Sequence, residues 1–187
     1  MLDYAAKFAA GLPYYDFLAK HGTEDQRRRW AGVHEAVRLS DKQRQLLGGF
    51  QREMKVLCLA GAWCGDCVNQ CPILNHFAQA ATAIQLRFFD RDVHPDLATE
   101  LKICGGGRVP VVVFLSEDGQ LVGWYGDRTI SIYRQMALDQ LGPSCPTGIG
   151  PLDRSLLDAV TQDWLNEFER VQLLLRLSPR LRQLHGD

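Results

Sequence analysis

Cys64 and Cys67, separated by Gly65 and Asp66, are the residues whose types and spacing can do chemistry. Two thiols three positions apart on a first helical turn have Cα atoms about 5 to 6 Å from each other, inside the window a disulfide requires. Such a pair opens and closes without refolding the chain. Trp63 and the apolar run Val56 to Ala62 stand directly before it and a helical pattern follows, which puts Cys64 at an expected helix start. Unpaired N–H groups and the positive end of the helix dipole favour a thiolate there. A thiol with a pKa near 8.5 is about 3% ionised at pH 7, whereas one lowered to about 7 is half ionised, roughly a tenfold gain in nucleophile.

The pair could instead be half of a zinc site, but structural zinc takes four ligands, usually from two Cys/His pairs, and no second pair follows. His21, His34, His76, His94 and His185 show no paired ligand spacing. No metal is expected. Twenty-one basic residues against 22 acidic ones give a net charge of −1, so no global field draws the protein to nucleic acid or to an anionic membrane. The longest apolar stretches reach about eight residues, far short of the roughly 20 a spanning helix needs. Residues 1–11 carry Asp3 and Lys7 inside their apolar run, unlike a secretory signal, and the expected location is cytoplasmic. Six cysteines at irregular spacing in 187 residues do not suggest a disulfide-stapled scaffold.

The elements that must position the pair follow from periodicity. Residues 1–50 read as a helical N-terminal extension, with Thr23-Glu24-Asp25-Gln26 as a helix start, a helical pattern through Trp30, Val33, Val37 and Leu39, and Gly48-Gly49 as a stop. Arg27-Arg28-Arg29, among Glu24, Asp25 and Glu35, reads as a solvated helix face. Met54 to Ala60 reads as a buried strand and Val68 to Ala83 as the helix after it, kinked at Pro72. A second strand covers Ile84 to Phe89, a short helix His94 to Ile103, and a strand Val111 to Leu115 turns through Glu117-Asp118-Gly119 into a partner, Gln120 to Tyr125. Ser131 to Leu141 closes the unit as a helix. This order, with a crossover helix between the first two strands, implies an α/β core over residues 51–142, a mixed sheet covered by helices on both faces. Residues 143–187 read as a Pro/Gly linker and an amphipathic helix carrying Leu152, Leu156, Val160, Trp164, Phe168, Val171 and Leu175. Its stripe is expected against the N-terminal helices, with a homodimer seam as the alternative to a monomer. All three parts are read as one globular unit.

Over about residues 51–141 the sequence resembles the thioredoxin-like superfamily. The resemblance rests on the strand before Trp63-Cys64-Gly65-Asp66-Cys67, on Pro72 five residues after the second cysteine, and on Arg108-Val109-Pro110 heading a strand-turn-strand ending. The Trp-Cys-Gly-Asp-Cys form, with Arg91-Asp92, Gly123-Trp124-Tyr125-Gly126 and Arg128, looks like a bacterial subgroup of that superfamily. The resemblance implies that Pro110 is a cis proline beside Cys64 and Cys67. It also implies that the Val109 backbone pairs with a substrate strand through hydrogen bonds indifferent to substrate sequence; otherwise Val109-Pro110 merely begins an edge strand. The implied activity is thiol-disulfide oxidoreduction on protein disulfides, with Cys64 as nucleophile, Cys67 as resolving thiol, and Trp63, Gly65 and Asp66 beside the substrate. No cofactor beyond the redox-active disulfide is implied; the reducing partner is a reductase or a low-molecular-weight thiol, and Arg108 is a cation that could attract an anionic one.

Two departures from the family pattern bear on the chemistry. Asp66 replaces the usual proline, and a carboxylate beside the pair opposes thiolate formation. Cys58 stands where the family commonly buries an acid, and a thiol is a poor base at neutral pH, so either Asp66 or water takes the resolving thiol's proton or resolution is slow. Among the other cysteines, Cys71 lies about 10 Å along the helix from Cys64, too far for a direct bridge, and is expected as a buried, sheet-facing residue. Cys104, beside Gly105-Gly106-Gly107, is a candidate third thiol, and Cys145 is expected exposed in the linker. Two other functions stay open: a non-redox binding module on the same fold, and a metal or iron-sulfur carrier using Cys64, Cys67 and Cys71.

Overall fold

The computed structural model describes residues 2–140 and 154–187. Helices α1 (Tyr4–Phe8), α2 (Tyr14–His21), α3 (Glu24–Ala36) and α4 (Asp41–Gly48) precede strand β1 (Met54–Ala60). After it come α5 (Gly65–Ala80), β2 (Ile84–Asp90), α6 (Pro95–Glu100), β3 (Val111–Leu115), β4 (Leu121–Gly126), α7 (Ile130–Gln140), α8 (Arg154–Leu177) and α9 (Pro179–His185). The strands form one four-stranded sheet in the order β2-β1-β3-β4. β1 pairs parallel with β2 and antiparallel with β3, so the sheet is mixed.

Local chemistry explains the helix boundaries. Thr23 and Ser40 each close a capping box with the glutamine three residues on, satisfying two N–H groups at each start. Ser40 begins a new helix, so Val37 and Leu39 lie in the connection between α3 and α4 and not on one continuous helix. α5 starts three residues earlier than its apolar periodicity predicts and runs through Pro72. The linker around Cys145 lies outside the described residues.

Register divides the sheet into two faces. Val56, Cys58, Val112 and Phe114 share one face through the pairs Val56↔Phe114 and Cys58↔Val112, and there Phe114 meets Phe168 of α8 edge-on while Cys58 meets Cys71 of α5. On the opposite face Arg87 lies against Phe8 of α1, and Phe89 meets His94, at the start of α6, edge-on. The edge of β2 is covered by Leu12, which exchanges two backbone hydrogen bonds with Phe88 at 2.9 and 2.7 Å.

The apolar stripe of α8 is buried within the chain. Leu157, Val160, Trp164, Phe168, Val171 and Leu175 are all buried, and they pack on α5 and α7, not chiefly on the N-terminal helices as the periodicity alone suggests. Polar bonds accompany this packing: Trp164 donates to Gln70 of α5 at 3.0 Å, and Asp163 accepts the Ser131 N–H of α7 at 2.8 Å. Gln172 hydrogen-bonds the backbone of Arg52 in both directions, at 2.8 and 3.0 Å, and so ties α8 to the lead-in of β1.

The N-terminal helices also dock by side-chain polarity. His34 of α3 stacks on His76 of α5 with ring centroids 4.2 Å apart, and its backbone carbonyl hydrogen-bonds the His76 Nε2 at 2.9 Å. Burial first, and then the neighbouring His76, hold the pKa of His34 below its ordinary value. The unfolded chain therefore takes up a proton near pH 6.5 that the folded chain refuses, and stability falls as pH drops from about 6.5. The urea midpoint is expected to decline between pH 7 and pH 5, and the decline to shrink in His34→Asn.

Candidate active site

After Ala60 the chain turns through Gly61, Ala62 and Trp63 into α5, whose N-cap residue is Cys64. The Cys64 N–H closes the turn onto the Gly61 carbonyl at 3.0 Å. From the N-terminal extension, the buried Trp30 indole N–H donates to the Ala62 carbonyl at 2.9 Å. No side chain caps the first turn of α5, and the Cys67 N–H is the backbone group that favours a charge on the Cys64 sulfur.

Cys64 is half-buried and Cys67 is fully buried beneath it, both as free thiols. The Cys64 thiol donates to the Val109 carbonyl at 3.5 Å, and the Cys67 sulfur accepts the Gly61 N–H at 3.5 Å. The Val109–Pro110 bond is cis, and both residues are buried beside the pair. Trp63 is 44% exposed and forms one wall; the Arg91 guanidinium lies over its ring at 4.5 Å from the centroid and also donates to the Gly107 carbonyl at 3.2 Å.

The two thiols ionise as a unit. The hydrogen bond shared with Cys67, and then burial, push Cys64 up. Burial opposes a charge on Cys67, but hydrogen bonds from Cys64, Cys71 and the Gly61 N–H overcome it and draw Cys67 down. Within the pair, Cys67 is thus the thiol that gives up its proton more readily and Cys64 the one that keeps it. The sequence places this lowering on Cys64; in the structure Cys64 is raised and the lowering falls on Cys67. Of the two, Cys64 is partly open to solvent and Cys67 is sealed.

Asp66 does not face the pair as an unbalanced charge. Arg128 grips its carboxylate with two nitrogens, at 3.0 and 2.7 Å. Arg128 also approaches Asp127 at 3.6 Å, and Asp127 is buried and accepts from Tyr133 and, at 3.2 Å, from Arg108. Burial works against ionisation of Asp127, yet the bonds from Tyr133 and Arg108 and the charge of Arg128 hold its pKa below the usual carboxylate value. Arg108 is therefore paired with Asp127, not a free cation beside Val109. Behind this network sits Gln70, fully buried and fully bonded: its amide donates to the carbonyls of Asp127 at 2.9 Å and Asp66 at 3.3 Å, and its oxygen accepts the Trp164 indole N–H at 3.0 Å. The sequence signals for Gln70, Asp127 and Tyr133 were absent, because nothing in their spacing shows that a loop after β4 returns to α5.

The remaining cysteines separate. Cys58 and Cys71 are buried with sulfurs 3.7 Å apart. Cys104 is exposed, with φ +50° in a turn closed by Ile103 and Gly106, and it is not among the groups acting on the paired thiols. Asp92 pairs with Arg91 at 2.9 Å, while Asp90 accepts the backbone N–H groups of Asp92 and Val93. Among the described residues no group of three His, Cys, Asp or Glu side chains is arranged to hold a metal ion, and no helix is long and apolar enough to cross a membrane.

A sequence model described as thioredoxin matches residues 11–140. The chain belongs to the thioredoxin family. The match takes in most of the N-terminal helices as well as the sheet, a longer span than the sequence resemblance covers. Among solved structures, a protein of unknown function from Pseudomonas aeruginosa superposes with a TM-score of 0.71 at 17% identity, over 91% of this chain and 97% of its own. An HIV epitope scaffold gives 0.66 at 20% identity over the same shares. These likenesses show that the fold, helical ends included, recurs. Mitochondrial thioredoxin 3 from Saccharomyces cerevisiae is 28% identical over 50% of this chain and 86% of its own, with a TM-score of 0.34. No curated protein matches the sequence.

Two substitutions test this thioredoxin-family site. A Cβ on Gly126 would lie 2.4 Å from the Pro110 carbonyl oxygen and 3.1 Å from the Val111 Cα, both backbone atoms that cannot swing away. Gly126→Ala is expected to lose about 1–3 kcal/mol of stability, read as a lower urea midpoint at an unchanged slope. Arg128→Gln releases Asp66, whose charge then opposes the thiolate. The pH profile of Cys64 alkylation by iodoacetamide is expected to move upward by about half a unit to one unit. An unmoved profile would show that Arg128 only packs.

Proposed function

We propose that the protein is a thiol-disulfide oxidoreductase acting on protein disulfides. The observation that carries the reading is the half-exposed Cys64 sulfur at the start of α5, hydrogen-bonded to the Val109 carbonyl, with the Cys67 thiol buried directly behind it. The Cys64 thiolate attacks one sulfur of a substrate disulfide; that S–S bond breaks, and the departing substrate sulfur takes a proton. Cys67 then loses its proton and attacks the Cys64 sulfur, closing the Cys64–Cys67 disulfide and releasing the second substrate thiol. The protein gives up two electrons and the substrate gains two. An external reductase or a low-molecular-weight thiol restores the dithiol, and the same steps run backwards oxidise.

Val109 connects recognition to chemistry. While Cys64 carries its proton it occupies the Val109 carbonyl; once its sulfur is bonded to substrate it has no proton to donate. The carbonyl is then free for a substrate main-chain N–H, a contact that ignores substrate sequence. Trp63 and Gly65 border the approach, one as a wall and the other without a side chain.

An equilibrium titration of the full chain in dithiol/disulfide buffers, with thiols counted by alkylation and mass spectrometry, tests the reading. Closure of Cys64–Cys67 is expected between about −270 and −120 mV, the span of thioredoxin-type pairs. A pair still open at the oxidising end of that range rejects it.

A further inference from the structure

We propose that Cys58 and Cys71 form a second, internal redox pair that takes the disulfide from Cys64–Cys67 by exchange through Cys67. This rests on the exchange activity proposed above and extends it inward, giving each chain two disulfides' worth of reducing capacity where the outer site alone holds one.

The geometry is a row of sulfurs. Cys64, Cys67 and Cys71 stand at i, i+3 and i+7 at the start of α5, positions that line one face of a helix. Cys71 therefore follows Cys67 along that face on the side away from Cys64, and its thiol is hydrogen-bonded to the Cys67 sulfur. Below Cys71, on β1, the Cys58 sulfur is 3.7 Å away, at van der Waals contact and short of a bond. All three inner cysteines are fully buried, so no external disulfide meets Cys58 or Cys71 directly. Oxidation has to arrive through the row.

The steps balance. Starting from the Cys64–Cys67 disulfide, Cys71 loses a proton and its sulfur attacks that of Cys67; the Cys64–Cys67 bond breaks and Cys64 leaves as a thiolate that takes up a proton. Cys58 then loses its proton and attacks the Cys71 sulfur; the Cys67–Cys71 bond breaks, Cys67 is protonated, and the Cys58–Cys71 disulfide remains. No electrons enter or leave, and the outer dithiol is ready for another substrate. The Cys67–Cys71 intermediate spans i and i+4, where Cβ atoms stand about 5–6 Å apart against the 3.5–4.5 Å of a relaxed disulfide, so it is transient and Cys58 draws the exchange forward. Burial, and then the hydrogen bond with Cys58, hold the Cys71 thiol well above its ordinary value. The transfer is accordingly slow at neutral pH and quickens as the thiolate fraction grows.

The test is a time course on the reduced full-length protein with one molar equivalent of diamide, quenched in acid, denatured, alkylated and mapped by mass spectrometry. Cys64–Cys67 is expected first, then its conversion to Cys58–Cys71 at a rate independent of protein concentration and about tenfold faster for each pH unit above 7. A second equivalent of diamide is then consumed by the regenerated outer pair. A Cys64–Cys67 disulfide that persists while Cys58 and Cys71 stay alkylatable overturns this inference alone; absence of any Cys64–Cys67 disulfide overturns the exchange activity and this inference with it. In Cys71→Ser the outer disulfide is expected to form and remain. In Cys64→Ser, formation of Cys58–Cys71 at the wild-type rate would overturn the route through Cys67. The wild-type course decides even if a variant fails to fold.

Discussion

Cys64→Ser is expected to lower protein-disulfide reduction by at least about a thousandfold, and Cys67→Ser to lower turnover as far while trapping substrate on the protein. A thousandfold is about 4 kcal/mol of barrier, and serine forfeits it because an alcohol is almost wholly protonated at neutral pH and does not exchange into a disulfide. Cys67→Ser keeps the attacking sulfur and its opening, so the first step proceeds. The second has no nucleophile: Cys67 is the thiol drawn down by its neighbours, and its replacement leaves the mixed disulfide standing. Incubation with a reducible protein substrate should give a covalent adduct at one per chain for Cys67→Ser, none for Cys64→Ser, and loss of the adduct on adding dithiothreitol. Cys64→Ser retaining a tenth of wild-type activity would remove the role assigned to that sulfur. Because Cys67 is the largest influence on Cys64, its replacement should also move alkylation of Cys64 toward the pH range of an ordinary thiol.

Trp164→Ala is expected to cost about 3–5 kcal/mol of stability, a fall in Tm of about 10 °C for a chain of this size. Trp164 is fully buried, stacks edge-on against Tyr125 with ring centroids 5.1 Å apart, and holds the oxygen of buried Gln70. Truncation leaves both a cavity and an unpaired acceptor. Trp164→Phe shifts the balance between the two, since it keeps a six-membered aromatic ring and so a smaller cavity while removing the N–H; a loss of about 2–3 kcal/mol is expected there, for the stranded buried acceptor and the volume lost. The readout beyond stability is the active site. Gln70 also bonds the backbones of Asp66 and Asp127, so Trp164→Phe should move the pH profile of Cys64 alkylation, whereas a similar truncation of Leu175, farther along α8, should lower Tm and leave that profile in place.

The strands and the helices of the core were legible because their signals are local. Apolar runs bounded by turn residues, the helix start at Thr23 and the Glu117-Asp118-Gly119 turn act within a few residues of one another, and so does the Cys64 to Cys67 spacing; the box at Ser40 is hidden because the apolar pattern runs on through Val37 and Leu39. The resemblance carried the cis bond at Pro110 and the place of Val109, which no periodicity shows. The helical ends misled for the opposite reason. An apolar stripe announces that α8 must be buried but is the same whatever covers it, and its place on α5 and α7 goes with partners remote in sequence, such as Trp164 on Gln70, 94 residues away.

The electrostatics of the site were the least legible. Asp66 beside two thiols reads as an opposing charge; folding brings Arg128 from 62 residues along the chain and pairs it. Cys58 reads as a missing acid, and Cys71 as a small apolar filler; the crossing of α5 over β1 sets their sulfurs side by side. Spacing along one helix establishes that Cys64 and Cys67 can bond, because a helical turn has one geometry. Which charges balance that pair, and where its oxidising equivalents can travel, depends on contacts between segments remote in sequence. Exposed charges are screened beyond about 10 Å and thiol exchange needs sulfurs in contact, so both pairings arise only once the sheet has been assembled and the helices have packed on it.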